Sequence, residues 1–215
     1  MFGKTLALCF TVAAMGGMGV TSQPNQPDQA AKQPDKRGLE LAANIMINPG
    51  FEIGDDDKED AAAAWSTALS QPPSRSQREF HTGGFSMRSV LKNVGATPSE
   101  GHLMQTLKGV AVGGWIHELT FWLKQIDAGP SYVQQFQITW IDGAGVEIGT
   151  SGFKAFAGKK GKWTEVRAEL KAPPNAVSAK LLFRFVTGAV KGGRGEVYLD
   201  DIGLIPQPPM AVPFG

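Results

Sequence analysis

Residues His117–Gln125 read "HELTFWLKQ", and their pattern sets the architecture. In an extended chain Leu119, Phe121 and Leu123 fall on one side, and Glu118, Thr120, Trp122 and Lys124 on the other. Period-two alternation over several residues marks a strand with one buried face. The opening "HELTF" starts like a zinc-protease helix, but the second histidine is missing and the pattern is that of a strand.

The same alternation recurs on the carboxyl side. "VQQFQITWI" (133–141) sets Phe136, Ile138 and Trp140 against Gln135, Gln137 and Thr139. "WTEVRAEL" (163–170) sets Val166, Ala168 and Leu170 against Glu165, Arg167 and Glu169, and "AKLLFRFV" (179–186) sets Leu181, Phe183 and Phe185 against Lys180, Leu182 and Arg184. Between these runs stand turn signals: "IDGAGVEI", in which Asp142-Gly143 is expected to supply the positive-φ positions, then "APPNA" and "KGGRGE". Only "DDDKEDAAAAW" (55–65) suggests a helical turn, through its alanines. Many short strands with almost no helix predict an all-β, two-sheet antiparallel β-sandwich, with Leu119, Phe121, Leu123, Phe136, Ile138, Leu181, Phe183 and Phe185 in its core.

The chain has 215 residues, 42% of them hydrophobic and 19% charged, with a net charge of +1. No basic face is implied, so nucleic acid is not an expected partner. Residues 1–22 read as a secretory signal: Lys4, then an apolar run to Val20, then small residues at Thr21 and Ser22. A membrane anchor is the other reading, but the run is short for a span and broken by Gly16, Gly17 and Gly19. The lone Cys9 lies inside this run, preceded by Leu8, which does not suit a lipidation site. The expected mature protein is therefore secreted, periplasmic or at the cell surface. It is expected to have no transmembrane span and no disulfide, and to be a monomer. Residues 23–43 read as a linker rich in Pro and Gln, residues 44–205 as the domain, and 206–215 as a tail, with prolines 206, 208 and 209 stopping the last strand.

Six segments stand in a telling order: "NPGFEIG" (48–54), then Trp65, "HTGGFSMRS" (81–89), "LTFWLK" (119–124), "GKWTEVRAEL" (161–170) and "GEVYLDDIGL" (195–204). This set resembles the carbohydrate-binding modules of the galactose-binding-like jelly-roll superfamily, above all families four, nine and twenty-two. The likeness covers roughly residues 44–205; its strongest part is the opening Asn-Pro-Gly-Phe-Glu paired with the closing Tyr-Leu-Asp-Asp. It implies a jelly roll whose first and last strands lie together, and a structural calcium ion there. The matching ligands are Glu52, Asp200, the carbonyl of Gly50 and a carbonyl near Gly83. Calcium takes such hard oxygen donors. The other reading leaves Glu52 and Asp200 as solvated charges at strand ends.

The resemblance also implies a polysaccharide or glycan partner held on a concave sheet face. A sugar ring offers an apolar C–H face to an aromatic ring and hydroxyls to polar groups at its rim. Trp122, Gln135, Gln137 and Arg184 are the outward members of their strands and the expected binding set, provided that these strands are neighbours. Otherwise Trp122 packs under a loop and the glutamines are ordinary exposed strand residues. Catalytic motifs are missing: no Gly-x-Ser-x-Gly elbow occurs, "GAGVEIG" follows a hairpin turn, and His81, His102 and His117 show no ligand spacing. The acidic run "DDDKED" lacks the spacing of a calcium loop and reads as solvated. The expectation is a non-catalytic, exported carbohydrate-binding domain. A structural or adhesion jelly roll binding protein or cell wall, and a small glycan-active hydrolase or lyase, are the alternatives.

Overall fold

The computed structural model describes residues 43–209 apart from 94 and 96. The leader, nearly all of the linker, and residues 210–215 lie outside the described residues. Thirteen strands occur among those described, and no helix. They are β1 (Gly54–Asp55), β2 (Lys58–Ala62), β3 (Ser66–Ala68), β4 (Ser74–Ser76), β5 (Ser86–Lys92), β6 (Ser99–Leu107), β7 (Ile116–Ala128), β8 (Tyr132–Ile141), β9 (Glu147–Thr150), β10 (Lys154–Ala155), β11 (Trp163–Lys171), β12 (Ser178–Thr187) and β13 (Arg194–Gln207).

Two antiparallel sheets face each other. One runs β10-β8-β12-β6-β3 with β9 added beside β8; the other runs β11-β7-β13-β5-β4. The alternating residues of β7, β8 and β12 meet between the sheets. All eight expected core residues are at most 2% exposed. Phe121 of one sheet sits edge-on to Phe183 of the other, with centroids 5.1 Å apart. Each such buried side chain contributes about 1.5–3 kcal/mol, and a one-residue slip of β7 would turn Leu119, Phe121 and Leu123 out together.

Three local expectations are corrected. The alanine-rich stretch does not turn into helix: β1 and β2 form a hairpin there, and Asp55 caps its turn by accepting the Asp57 N–H at 3.0 Å. In the β8–β9 hairpin the positive φ falls on Gly145 (83°), while Asp142 Oδ1 accepts the N–H groups of Ala144 and Val146. Pro206 does not stop β13, which continues in register with His117 and ends at Gln207. At that point β13 has a ladder neighbour only on the β7 side, because its pairing with β5 ends at Leu199. The missing proline N–H is thus lost from the open side.

The "NPGFEIG" segment closes the ends of the domain. Ile45 N–H donates to the Leu204 carbonyl (3.0 Å) and Ile202 N–H to that of Pro49 (3.0 Å), so the entering chain runs beside β13. The Asn48 amide donates to the carbonyls of Ile53 and Ala63, and Trp65 Nε1 donates to the Asn48 carbonyl. Phe51 is fully buried against Trp65, with ring centroids 5.2 Å apart. This turn and its aromatic residue are thus a latch for the tryptophan seventeen residues after Asn48.

Candidate functional site

Two polar constellations lie on opposite outer faces of the sandwich. The first is an acidic corner on the five-stranded sheet. β13 breaks register after Asp200, with Asp201 at φ 47°, so that both aspartates point toward the loop before β5. Asp200 is 0% exposed; its Oδ2 accepts the N–H groups of His81 (2.7 Å) and Thr82 (3.3 Å). Asp201 accepts from the Thr82 hydroxyl at 2.6 Å and pairs with His81 Nδ1 at 2.7 Å. Glu52 is exposed, and its carboxylate accepts the N–H groups of Gly84 and Phe85. Burial, with Asp201 adding to it, pushes the Asp200 carboxyl up to about 6, against the pull of its three N–H donors.

Gly50, Glu52, Gly83 and Asp200 are therefore brought to one corner. A Cβ on Gly50 would lie 3.7 Å from Asp200 Oδ1 and 3.8 Å from Glu52 Cγ. One on Gly83, where φ is +64°, would overlap Glu52 Oε1. At Gly50 those are ordinary contacts, whereas at Gly83 only glycine leaves room for the Glu52 carboxylate. Among the described residues the Gly50 and Gly83 carbonyls accept no main-chain hydrogen bond, and no lysine or arginine pairs with Asp200. Among those residues no three acid, histidine or cysteine side chains converge on one point. A cation here would draw on the Glu52 and Asp200 carboxylates and complete its shell with carbonyls. That donor set fits calcium in kind.

Trp122 lies at this corner, apart from Gln135, Gln137 and Arg184. β7 and β8 are consecutive in the chain but lie in different sheets, so Trp122 and the two glutamines are on opposite faces. Trp122 is in register with Asp200. The His81 imidazole stacks flat on its indole at 3.8 Å, with Trp163 edge-on to the same imidazole at 5.6 Å. The ring is half-buried under the loop that carries Glu79, His81 and Thr82, and the Glu79–Lys124 pair (2.6 Å) pins that loop again. "HELTF" lies on β7, a strand and not a helix, where His117 is buried and its Nε2 accepts the Val112 N–H.

The second constellation is the outer face of the six-stranded sheet, where Gln135, Gln137 and Arg184 do come together. In register across β6-β12-β8 lie His102, Arg184 and Gln135 in one row, and Met104, Leu182 and Gln137 in the next. The Arg184 guanidinium is held through three nitrogens: Nε and Nη2 donate to the two oxygens of Glu100, and Nη1 to Gln135 Oε1 at 3.3 Å. His102 Nε2 lies 2.7 Å from the same Glu100. Chiefly the Arg184 hydrogen bond, with His102 helping, holds the Glu100 carboxyl below its usual range despite burial. Gln137 donates to the Thr150 hydroxyl at 2.9 Å. Phe153, 47% exposed, stands beside the guanidinium with its ring centre 5.3 Å from Arg184 Cζ.

Glu100, His102 and Phe153 were missing from the expected set. "SEGHLMQTL" (99–107) alternates, and its outward members could have been read. Phe153 sits in a glycine-rich connection without periodicity, and nothing local marks it.

The fold is a jelly-roll β-sandwich, and solved structures similar to this chain are mainly carbohydrate-binding modules. One is a family 61 module solved in complex with β-1,4-galactotriose: TM-score 0.50, 16% identity, 77% of this chain and 99% of that one covered. Another is the CBM22-1 xylan-binding domain of Xyn10C from Paenibacillus barcinonensis: TM-score 0.50, 12% identity, 77% and 96% covered. The enzymatically active domain of tailspike protein 4 from bacteriophage CBA120 also matches, at TM-score 0.57 and 15% identity; 76% of this chain aligns, spanning 21% of that one. No protein-family model matches the chain, and no curated protein sequence matches it significantly. No helix of the described residues is long and apolar enough to cross a membrane.

Proposed function

We propose that this protein is an exported, non-catalytic carbohydrate-binding domain, and that it takes a polysaccharide chain along the outer face of the six-stranded sheet. The observation that carries the reading is the hydrogen-bonded Arg184–Glu100–Gln135 lattice beside the exposed ring of Phe153. It gives an aromatic platform next to fixed donors and acceptors, which is what the two sides of a sugar ring require. Glu100 offsets the charge of Arg184, so the face suits uncharged hydroxyls. The amino-terminal leader pattern supports export. We also propose that calcium binds between Glu52 and Asp200 with the carbonyls of Gly50 and Gly83. The ion would supply the positive charge that buried Asp200 lacks and would tie the two chain ends together.

Affinity electrophoresis in soluble xylan, β-1,4-galactan and mixed-linkage β-glucan tests the sugar reading. At least one polymer should retard the protein. Phe153→Ala should weaken that retardation about ten-fold, in line with the loss of one aromatic contact, and Arg184→Ala should weaken it too. Since Phe153 is exposed, its loss should leave the melting temperature in place. No retardation in a broad panel of neutral and acidic glycans would overturn the proposal.

A further inference from the structure

The far end of the five-stranded sheet carries a depression of about 560 Å³, within the range of small-ligand sites. Its floor follows from the register: Ile116 of β7 lies between Lys171 of β11 and Gln207 of β13, and in the next row Glu118 lies beside Glu169. All five are outward members of their strands. Trp115 and the prolines 208 and 209 form the rim. Ile116 is 40% exposed, although it is a large apolar residue at the centre of the floor.

The main chain that carries the tryptophan is held from both sides. Trp115 N–H donates to the Val112 carbonyl and its own carbonyl accepts the Ala172 N–H (2.9 Å); Gly114 N–H donates to the carbonyls of Ala172 and Pro173. Gly114 has φ +79°, and a Cβ on Gly113 would overlap the Pro174 carbonyl oxygen. The 112–115 turn is thus backed against the 172–176 turn, main chain to main chain, and presents a half-exposed indole. A main chain fixed in advance loses no further freedom when a ligand stacks on the ring it carries.

The polar groups around it are partly committed and partly free. Glu118 accepts from Arg167 at 2.9 Å. Among the described residues Glu169 and Lys171 form no ion pair, and both are exposed. They also border a smaller depression of about 230 Å³ that reaches round the β11 edge to Thr150, Ser151 and Lys154. The two depressions meet at these side chains and make a track across the end of the sandwich. Donors and acceptors there are set by strand spacing, about 4.8 Å, which is the scale of one sugar ring.

We infer that this track is a second glycan-binding site, in which Trp115 stacks on one sugar unit while Glu169, Lys171 and Gln207 bond its hydroxyls. Its floor, from Ile116 to Glu169, lies on the opposite sheet from the Arg184 face, and the track meets that face only at Thr150, whose hydroxyl accepts from Gln137. Two such sites would let one domain bridge two chains.

The test follows the five indole N–H resonances in 15N-labelled protein, with Trp115 assigned through Trp115→Phe, during titration with xylohexaose, cellohexaose and β-1,4-galactotriose. At least one oligosaccharide should shift the Trp115 resonance saturably. The shift should persist in Phe153→Ala/Arg184→Ala, where the other face is disabled, and Glu169→Ala with Lys171→Ala should weaken it about ten-fold while the spectrum stays dispersed. If no oligosaccharide moves the Trp115 resonance in the wild type, the inference is wrong. If its shift vanishes in Phe153→Ala/Arg184→Ala, one site is being sensed from afar and the inference is equally overturned, while the Arg184 face stands.

Discussion

Asp200→Asn should change how the stability of this domain depends on pH, and the size of the change can be worked out. Burial raises the Asp200 carboxyl from 3.8 to about 6. A carboxyl whose pKa is higher folded than unfolded binds more protons in the folded chain, so it stabilises the fold below its unfolded pKa and that contribution is lost as the pH rises through 6. At 1.36 kcal/mol per pKa unit the full effect is about 3 kcal/mol. On going from pH 7.5 to 5 the linkage returns on the order of 1 kcal/mol. His117 works in the other sense: burial lowers its pKa, and it costs stability as the pH falls below its unfolded value. His117 is present in both proteins, so its slope cancels from their difference. Urea unfolding of wild type and Asp200→Asn, in excess chelator so that no cation holds the carboxylate, gives the comparison at pH 7.5 and 5. The wild type should gain about 1 kcal/mol on the variant at the lower pH. The asparagine also turns an N–H2 toward the N–H groups of His81, Thr82 or Asp201, so the variant is expected to be less stable at both pH values, but that offset does not depend on pH. An equal difference at the two pH values would refute the reasoning.

Chelation of the wild type at neutral pH should lower its melting temperature, and Glu52→Ala should abolish most of that sensitivity; an identical melting curve with and without chelator would rule out the ion. Trp122→Ala should cost about 2 kcal/mol, less than a fully buried aromatic because the ring is half-covered, and should leave retardation by glycans unchanged. Lost retardation with unchanged stability would restore Trp122 to the binding surface. Gly195→Ala should cost about 1–3 kcal/mol by overpacking, since a Cβ there would overlap the Tyr132 ring. In a Tyr132→Ala background the same change should cost far less, and additive losses would show that the two residues do not meet.

The strands, and the side of each that turns inward, are legible in the residues alone, because alternation is a local property: Leu119, Phe121 and Leu123 had to share a face whatever lay across from them. That "NPGFEIG" and "YLDD" belong together is legible too, through the resemblance their order carries. The alternation marked Gln135, Gln137 and Arg184 as outward, and they do share a face. Which sheet each strand joins was not written locally. Trp122 and Gln135 belong to consecutive alternating strands, yet the chain crosses from one sheet to the other between them, and that crossing put the tryptophan under His81 instead of beside Arg184. Only tertiary pairing brought Glu100 and His102 to the guanidinium, and set Phe153, from a segment without periodicity, over it. The same pairing placed Glu169 opposite Glu118 and backed the Trp115 turn against Ala172. A strand's faces are fixed by its own residues, but its neighbours are fixed by contacts distant in the chain, and the candidate sites are made of neighbours.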